Sequence, residues 1–531
     1  MLQISTMRAA AMAAVSAFAL ATAVPAKAQS LTMAVGAQVT SLDPHYHALS
    51  PNYAVATMIF DALTSFDSEA RLEPGLAESW KPVGETVWEF KLRAGVKFHN
   101  GNPFTAEDVA FTIARVPAVV NSPSSYAIYT RAIERVEVVD PLTVRFHTRA
   151  PYPLLPTDLA QVAILDRETH EGASTDDFNS GKVAIGTGPF RYQSFRSGDR
   201  LELVRNDAYW GDKPHWQQVH YRILPNDATR TAALLAGDVD FIDQVPTSDL
   251  TSLRRSDRVR IAEKDGLRII FLALDHQHPQ GSPLITGNDG KPLARNPLHD
   301  LRVRRALSIA IDRPAIASRV MEGTAQPSGQ FLPPTSFGAI PDLGAPRTDA
   351  DAAKKLLAEA GYPDGFRITL NGPNDRYMND ARIIQAVGQM WTRIGVRTNV
   401  DAQPWTTFIG RAGKQELSAF LVGWGISSGE ASNPLRSLIA SYDRDKGFGT
   451  SNRGRYSNPA IDAKLELALR ELDDAKREAL LREATKMAMD DIAIIPIHIQ
   501  KNVWAMRPTL VHDSRADELT RAQDVRPAPT R

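Results

Sequence analysis

The chain contains no cysteine among its 531 residues. This absence excludes a disulfide, a thiolate nucleophile, a cysteine-based zinc site and a lipid anchor on an N-terminal cysteine. The fold must therefore depend on its own hydrophobic core. A chain of this length, of which 43% is hydrophobic, can form a large core and predicts two or three domains.

The chain also has no net charge, because 61 basic and 61 acidic side chains cancel. Binding to nucleic acid or to an acidic membrane surface needs a basic excess, so we expect neither partner. There is no internal repeat and no low-complexity segment. After the N-terminal region, no stretch is long and apolar enough to span a bilayer.

The N-terminus has the organisation of a secretory signal peptide. Arg8 precedes an apolar, alanine-rich stretch over residues 9–24, and Ala26-Lys27-Ala28 forms an A-x-A cleavage site. The apolar run is shorter than the ~20 residues that a membrane-spanning helix needs. We therefore predict a signal peptide over residues 1–28, a mature chain that begins at Gln29, and a soluble periplasmic protein without a lipid anchor.

Alternating apolar and polar residues predict antiparallel strands in the first third of the chain. Residues 86–101 predict a hairpin that turns at Ala94-Gly95, and residues 133–148 predict another with a turn at Asp140-Pro141.

Residues 105–108 (TAED) predict the start of a helix, with a capping residue and an acidic first turn. Helical periodicity is clearer towards the C-terminus. Residues 348–362 predict a helix with a cap at Thr348 and a stop at Gly361, and residues 473–491 predict a second helix. Strand-like runs follow at residues 367–370 and 492–499. The fold class predicted from these patterns is mixed α/β.

One segment contains the G-x-S-x-G pattern of a serine-hydrolase nucleophile elbow, at Gly425 to Gly429, with Ser427 as the nucleophile. His498 or His512 could complete a triad. An elbow needs a helix directly after the nucleophile, however, and the next helix-like stretch begins only at Pro434. The alternative is that Ser427 lies in the wall of a binding pocket.

Two further patterns could carry chemistry. His45/His47 and His276/His278 are H-x-H pairs, which can present two imidazoles to one metal ion. Both pairs lie in proline-flanked loops without a carboxylate ladder, so we interpret them as surface residues. Residues 186–189 (GTGP) lack the rest of a phosphate-binding loop, and the proline removes a donor, so we interpret them as a turn.

A set of ordered phrases resembles the family 5 extracytoplasmic solute-binding proteins, which serve ABC importers of dipeptides, oligopeptides, nickel complexes and related solutes. The resemblance covers about residues 31–510. The matching phrases are SLDPHY (41–46), LAESWKP (76–82), FKLRAGVKFHNGNPFTAEDVAFT (90–112), GTGPFRYQSF (186–195), LVRNDAYWGDKP (203–214), LLAGDVDFID (234–243), LRVRRALSIAIDRPAI (301–316) and AAKKLLAEAGYPDG (352–365).

The resemblance implies a two-lobed periplasmic binding protein fold with an additional domain inserted in the first lobe and a hinged cleft between the lobes. The first lobe would take residues 29–60, 185–267 and 498–531. The extra domain would take residues 61–184, and the second lobe residues 268–497. The chain would cross between the lobes near residues 264–270 and 494–498.

The resemblance also implies a binding site. In relatives, the strand that ends in Gly-Trp opens onto the cleft, and peptide binders place an Asp three residues beyond the Trp to pair with the ligand's ammonium group. Ser427 occupies that position here, and Glu430 is the nearest carboxylate that could substitute. The predicted ligand-binding residues are Tyr46, His47, Arg376, Tyr377, Trp405, Trp424, Gly425, Ile426, Ser427, Ser428 and Glu430.

The function implied is that of a periplasmic substrate-binding protein, a monomer without cofactor, metal or catalytic activity. It would bind a peptide-like or other small organic solute in the cleft and deliver it to the ABC permease in the inner membrane. A metal chelate, an opine or a sugar is the alternative ligand. A secreted serine hydrolase that uses Ser427 is the alternative from another class.

Overall fold

The computed structural model describes residues 29–426 and 428–529, so the predicted signal peptide and Ser427 lie outside the described residues. Its strands are β1 (Ser30–Val35), β2 (Thr64–Phe66), β3 (Leu72–Pro74), β4 (Ala77–Gly84), β5 (Val87–Leu92), β6 (Ile133–Asp140), β7 (Thr143–Thr148), β8 (Phe190–Arg196), β9 (Arg200–Arg205), β10 (Gln218–Ile223), β11 (Phe241–Ile242), β12 (Arg260–Leu274), β13 (Ile285–Thr286), β14 (Ala325–Pro327), β15 (Arg367–Pro373), β16 (Arg397–Gln403), β17 (Ala419–Gly425), β18 (Ile495–Met506), β19 (Leu510–His512) and β20 (Val525–Pro527).

The α-helices are α1 (Ser50–Ile59), α2 (Ala106–Arg115), α3 (Ala127–Thr130), α4 (Leu155–Leu159), α5 (Arg167–His170), α6 (Thr175–Asn179), α7 (Asp227–Ala236), α8 (Thr247–Arg254), α9 (Leu301–Ile309), α10 (Arg313–Ala315), α11 (Ala350–Glu359), α12 (Asp380–Arg393), α13 (Trp405–Gly413), α14 (Ser432–Pro434), α15 (Pro459–Ala468) and α16 (Asp474–Asp490). Two π-helical segments, Ile316–Val320 and Leu435–Ile439, extend α10 and α14. The described helices include none that is long and apolar enough to cross a membrane.

The largest sheet joins strands from both halves of the chain. Its strand order is β13-β15-β17-β12-β18-β11-β1-β10-β9-β8, with β14 added to β18 and β16 added to β15. The strands at one end come from the N-terminal half and those at the other end come from the C-terminal half. The two long antiparallel strands β12 and β18 connect the ends, and their ladder shifts register near Asp265/Arg268 and Ile270/Phe271. These irregularities fall where the sequence predicts that the chain crosses between lobes.

Strand β12 shows why the second half of the chain forms a layered core. Side chains alternate across a strand. Ile269, Phe271 and Ala273 accordingly pack into one hydrophobic cluster, and Ile270 and Leu272 pack into another on the opposite face. Helices cover both faces of the sheet here, so this part of the strand, residues 269–274, is a continuous apolar run instead of an alternating one.

A separate four-stranded sheet, β4-β5-β7-β6, lies within the predicted extra domain. Strands β6 and β7 form the predicted hairpin, with the turn after Asp140. The hairpin predicted over residues 86–101 is wrong: β5 pairs with β4 and β7, while residues 94–95 turn out of the sheet. The alternating residues are still buried, Phe90 and Phe98 among them, because both segments contribute to the same core.

The helix signals are mostly confirmed. Thr105 and Asp108 form a capping box at α2, with the Thr105 N–H donating to Asp108 Oδ2 at 2.8 Å. The predicted helix cap at Thr348 is off by one residue, because Asp349 accepts the N–H of Ala352 instead. Gly361 has φ 92° and ends that helix as predicted. The boundaries proposed for the lobes and the extra domain stay a prediction.

Candidate ligand-binding site

The main cavity lies where β12 and β17 meet the segments 47–53, 123–129 and 516–519. Its volume is about 530 Å³, within the range that small-molecule sites occupy. Its wall is rich in aromatic side chains, contributed by Tyr53, Phe66, Tyr126, Tyr129, Tyr377, Trp405 and Trp424. Residues from the predicted first lobe, extra domain and second lobe therefore all face one space.

Seven of the residues predicted from the sequence line this cavity: His47, Arg376, Tyr377, Trp405, Trp424, Gly425 and Ile426. Tyr46, Ser428 and Glu430 do not line it, and Ser427 lies outside the described residues. The structure thus brings β17 and the 376–377 loop to the same cavity, although these segments are separated by about fifty residues in the chain.

The end of β17 contributes the indole of Trp424. Its Nε1 donates to Asn433 Oδ1 at 2.7 Å, which orients the ring. One residue earlier, Gly423 allows a close approach: a Cβ at this position would lie 2.8 Å from Tyr377 Cε1 and 2.7 Å from Ile270 Cδ1. Tyr377 packs against this backbone and donates its hydroxyl hydrogen to the Gly423 carbonyl oxygen at 3.2 Å.

The loop before α12 positions Arg376 and Tyr377. Asp380 Oδ2 accepts the backbone N–H groups of both residues at 3.0 Å. The Arg376 guanidinium lies 5.3 Å from the ring centroid of Tyr377 and 5.6 Å from that of Trp405. Burial lowers the pKa of Arg376, and the nearby Arg268 lowers it further. Among the described residues, the Arg376 guanidinium has no carboxylate within salt-bridge distance.

Arg268 and Glu518 form an ion pair in the same wall, with Arg268 Nε donating to Glu518 Oε2 at 2.8 Å. Burial alone would raise the pKa of Glu518, but the Arg268 guanidinium, with smaller contributions from Arg376 and a hydrogen bond from Ser50, outweighs burial and holds the pKa below its usual value. Glu518 adopts a left-handed backbone with φ 64°, which is uncommon for a residue other than glycine. Asp517 supports this turn by accepting the N–H of Leu519 at 3.1 Å.

Of the other charged residues in the cavity wall, Asp517 has an ion-pair partner and Arg453 has none among the described residues. Asp517 is neutralised by Arg515, whose Nη2 lies 2.6 Å from Asp517 Oδ2. Arg453 faces the cavity, and within the described residues its guanidinium makes neither an ion pair nor a hydrogen bond. Arg376 and Arg453 therefore leave the cavity with an excess of positive charge.

Glu430 is not available as a replacement for the missing Asp. Its side chain is buried, its Oε1 lies 2.7 Å from Arg477 Nη1, and it accepts the hydroxyl hydrogen of Ser432. A carboxylate committed to a buried cation would lose that interaction if it turned towards a ligand. The hypothesis that Glu430 anchors an ammonium group is therefore not supported by this geometry.

One member of each histidine pair, His45 and His276, is more buried than the interpretation as surface residues predicts. His45 is completely buried and its Nε2 lies 2.8 Å from the Ala163 carbonyl oxygen. Burial lowers its pKa to about 4 and that of His276 to about 3. No cluster of three or more metal-ligating side chains occurs within residues 29–426 and 428–529. Only His47 of the four faces the cavity.

The hydrolase alternative is not favoured either. His498 and His512 do not line the cavity, and burial lowers the pKa of His498 to about 3 and that of His512 to about 4. The helix after the G-x-S-x-G segment begins at Ser432, several residues after the position an elbow requires.

Sequence reasoning missed Arg268, Arg453, Glu518 and the tyrosines at 53, 126 and 129. Arg268 carried a usable signal, since it is a charged residue directly before the apolar run of residues 269–274 and pairs with Gly425. Arg453 and Glu518 lie in polar loops, where charged residues are common, so the sequence around them does not indicate a role in binding.

A sequence model of the bacterial extracellular solute-binding proteins, family 5 middle region, matches residues 71–446. The chain belongs to this family. It is 28% identical to heme-binding protein A of Haemophilus influenzae, over 84% of this chain and 82% of the relative. It is 27% identical to the glutathione-binding protein GsiB of Escherichia coli, over 90% of each chain.

The solved structure of the periplasmic binding protein DppA from Helicobacter pylori, in complex with the peptide STSA, matches with a TM-score of 0.80 and 24% identity. The match covers 94% of this chain and 98% of that one. This likeness confirms the predicted fold class, a two-lobed periplasmic binding protein. The family and its structural neighbours are solute-binding proteins, which fits a cavity lined by aromatic and cationic groups.

Proposed function

We propose that this protein is the periplasmic substrate-binding component of an ABC importer and that its ligand is a peptide-like or other small organic solute with at least one carboxylate. The observation that carries the proposal is the Arg376 guanidinium. It faces the cavity beside the rings of Tyr377 and Trp405 and has no carboxylate within salt-bridge distance among the described residues. A half-buried cation without a carboxylate within salt-bridge distance is costly to desolvate, so a ligand carboxylate would be bound strongly there.

The proposed ligand does not present a free ammonium group to the loop after Trp424. Ser427 replaces the Asp that peptide-binding relatives are expected to have, and Glu430 is paired with Arg477. The two carboxylates that do face the cavity, Asp517 and Glu518, are each paired with an arginine. An ammonium group would therefore be desolvated without a partner.

The proposed ligand contacts are Arg376 for the carboxylate, Trp405 and Trp424 for the apolar body of the ligand, and His47 for a polar group. The Tyr377 ring would position Arg376 through its contact with the guanidinium. Heme, glutathione and peptides, which are named as ligands of two relatives and one structural neighbour, all carry carboxylates and are therefore consistent with this proposal.

The test uses three matched probes for each peptide of a small library: the free peptide, its N-acetyl derivative and its C-terminal amide. We expect N-acetylation to be tolerated or to improve binding, and amidation to abolish the thermal stabilisation that a bound ligand produces. Arg376→Gln should abolish the response to the acids. Equal binding of amides and acids by the parent would contradict the proposal.

Localisation and assembly are part of the proposal. The exported protein should begin at Gln29 and should associate with the permease subunits as a monomer. Mass analysis of protein from the periplasm tests the first point, and an intact Met1 terminus there would refute the signal peptide. Light scattering at micromolar concentration tests the second.

A further inference from the structure

Arg453 is a second arginine in the cavity wall that faces the ligand space without a partner. Its backbone N–H donates to the Ser451 carbonyl oxygen at 2.9 Å, but within the described residues its guanidinium has no hydrogen-bond or ion-pair partner. Burial lowers the pKa of Arg453, and the neighbouring Arg455 lowers it further. A cation in this position is therefore held at a free-energy cost that an incoming anion would relieve.

The loop that presents Arg453 is held by buried hydrogen bonds. Asn452 is buried, and its Nδ2 donates to the carbonyl oxygens of Ala440 at 3.0 Å and Tyr456 at 2.7 Å. Its Oδ1 accepts the N–H of Tyr456 at 3.0 Å. On the other side, Gly454 packs so closely that a Cβ would lie 2.2 Å from the Leu274 carbonyl oxygen. The backbone on both sides of Arg453 is thus fixed before any ligand arrives, which favours binding.

The two unpaired guanidiniums both lie near Tyr377 in the cavity wall. That of Arg376 lies over the Tyr377 ring, and that of Arg453 is close enough to the Tyr377 phenol for an electrostatic interaction. Both residues line the same space of about 530 Å³. The third arginine of this wall, Arg268, is already neutralised by Glu518. The cavity therefore has two free positive charges and no free negative one among its described residues.

From this arrangement we infer that Arg453 is a specificity-determining residue and that the ligand is a dicarboxylic solute, with one carboxylate on Arg376 and the second on Arg453. The inference rests on the proposed function and narrows its substrate class. A peptide with an acidic side chain, or a condensed organic acid with two separate carboxylates, has the required chemistry. A planar guanidinium can bind each carboxylate through two parallel hydrogen bonds.

The experiment compares matched pairs of solutes that differ by one charge and carry no free ammonium group: N-acetyl dipeptides that end in Glu or Gln, and N-acetylglutathione against its glycine amide. Calorimetric titration of the parent should show tighter binding of each dicarboxylic member. Arg453→Gln should weaken the dicarboxylic solutes by about ten- to a hundredfold, the value of a hydrogen-bonded charge pair, and the monocarboxylic ones by less than about threefold. Arg453→Lys should recover part of the loss because it retains the charge.

Arg455→Gln is the matched control. Arg455 is two residues away, but its guanidinium lies 4.0 Å from the ring centroid of Tyr442 and it does not line the cavity. This variant should bind both members of each pair as the parent does. Thermal melts of all variants without ligand show whether each is folded.

Three results would overturn the inference: no dicarboxylic solute binds more tightly than its match, Arg453→Gln weakens both members equally or neither of them, or Arg455→Gln has the same effect as Arg453→Gln. Failure of the proposed function looks different. In that case the parent binds the acids no more tightly than their amides, and Arg376→Gln changes no binding constant. Loss of binding in Arg376→Gln with an unaffected Arg453→Gln would refute the role of Arg453 alone.

Discussion

Arg268 and Glu518, which are 250 positions apart in the chain, form an ion pair in the wall of the cavity, with Arg268 Nε 2.8 Å from Glu518 Oε2. Arg268 lies on β12 beside the irregular part of its ladder with β18, and Glu518 lies in the C-terminal segment. The pair therefore fastens the C-terminal segment to the strands that connect the two halves of the main sheet. It also removes one positive charge from the ligand space.

Replacing only one partner of the Arg268–Glu518 ion pair should destabilise the protein. Glu518→Gln leaves the buried Arg268 guanidinium without a counter-charge, so we expect the free energy of unfolding to fall by about 3 kcal/mol. Urea denaturation without ligand measures this change. The double variant Arg268→Met/Glu518→Gln should recover most of the loss because no charge is then left unpaired. A double variant that is as unstable as the sum of the two single variants would contradict this account.

A second polar chain connects the predicted extra domain to the predicted second lobe. Arg436 Nη1 donates to Tyr152 Oη at 2.9 Å, and the Tyr152 hydroxyl donates to Asp158 Oδ2 at 2.6 Å. Burial raises the pKa of Asp158 to about 6, although Arg436 acts to lower it. The raised pKa means that the folded protein retains a proton between about pH 4 and pH 6 that the unfolded chain loses. Ionised Asp158 therefore costs stability, and the cost is complete above about pH 6.

Arg436→Met should therefore destabilise the protein much more at pH 7.5 than at pH 4.5. At the higher pH, Asp158 loses the cation that compensates its charge, and we expect a loss of about 2–3 kcal/mol. At the lower pH, Asp158 is protonated and needs no cation, so the loss should be small. Denaturation at both pH values, with Asp158→Asn/Arg436→Met as the control, tests this. A loss that is independent of pH would show that Arg436 acts through packing alone.

The buried His498 should make the protein sensitive to acid. It lies on β18, is completely buried, and both of its ring nitrogens lack a partner among the described residues. Burial lowers its pKa to about 3 from a usual 6.5. The unfolded chain therefore binds a proton that the folded protein does not, and stability is lost as the pH falls below about 6.5.

Between pH 7 and pH 4, we expect the free energy of unfolding to fall less for His498→Leu than for the parent. The two losses should differ by up to about 3 kcal/mol, because the variant has no imidazole at position 498 to protonate on unfolding. Other buried histidines titrate in the same range, so the informative quantity is the difference between parent and variant. His278→Gln, at a side chain that is 38% exposed, serves as the control and should follow the parent. Identical pH profiles for His498→Leu and the parent would contradict the prediction.

Trp424 should contribute an apolar wall to the site. Trp424→Ala removes the indole that Asn433 orients, and we expect the carboxylate-bearing probe that binds the parent best to lose about ten- to a hundredfold in affinity. Trp424→Phe keeps most of the aromatic area and loses only the N–H, so it should bind nearly as well as the parent. Calorimetric titration measures both. An unchanged affinity in Trp424→Ala would place the ligand elsewhere in the cavity.

Much of the fold could be predicted because its signals are local. The capping box at Thr105, the stop at Gly361 and the hairpin around Asp140 each depend on a few consecutive residues. The wrong hairpin at residues 86–101 shows the limit of such signals. Alternation indicates which side chains are buried, but it does not specify which strand is the partner.

Some of the ligand-binding residues could also be predicted from the sequence, and others could not. Those on β17 and in the 376–377 loop could be predicted because the family motifs define their place in the chain, and seven of the predicted set do line the cavity. Glu430 was predicted as a possible anchor from its closeness in sequence, but a partner on α16, Arg477, neutralises it.

The sequence by itself therefore determined the family, the two-lobed α/β class, the absence of thiol chemistry and the positions of the main helices. These properties follow from composition, from ordered motifs and from hydrogen bonds between near neighbours in the chain. Only the tertiary structure decided which charges are neutralised and which remain free. Whether an arginine is paired depends on residues far away in sequence: Arg268 meets Glu518 across 250 positions, whereas Arg453 faces the cavity without a described partner. Electrostatic energy depends on distance and burial in space, so the charge of the site could not be known before the chain was folded.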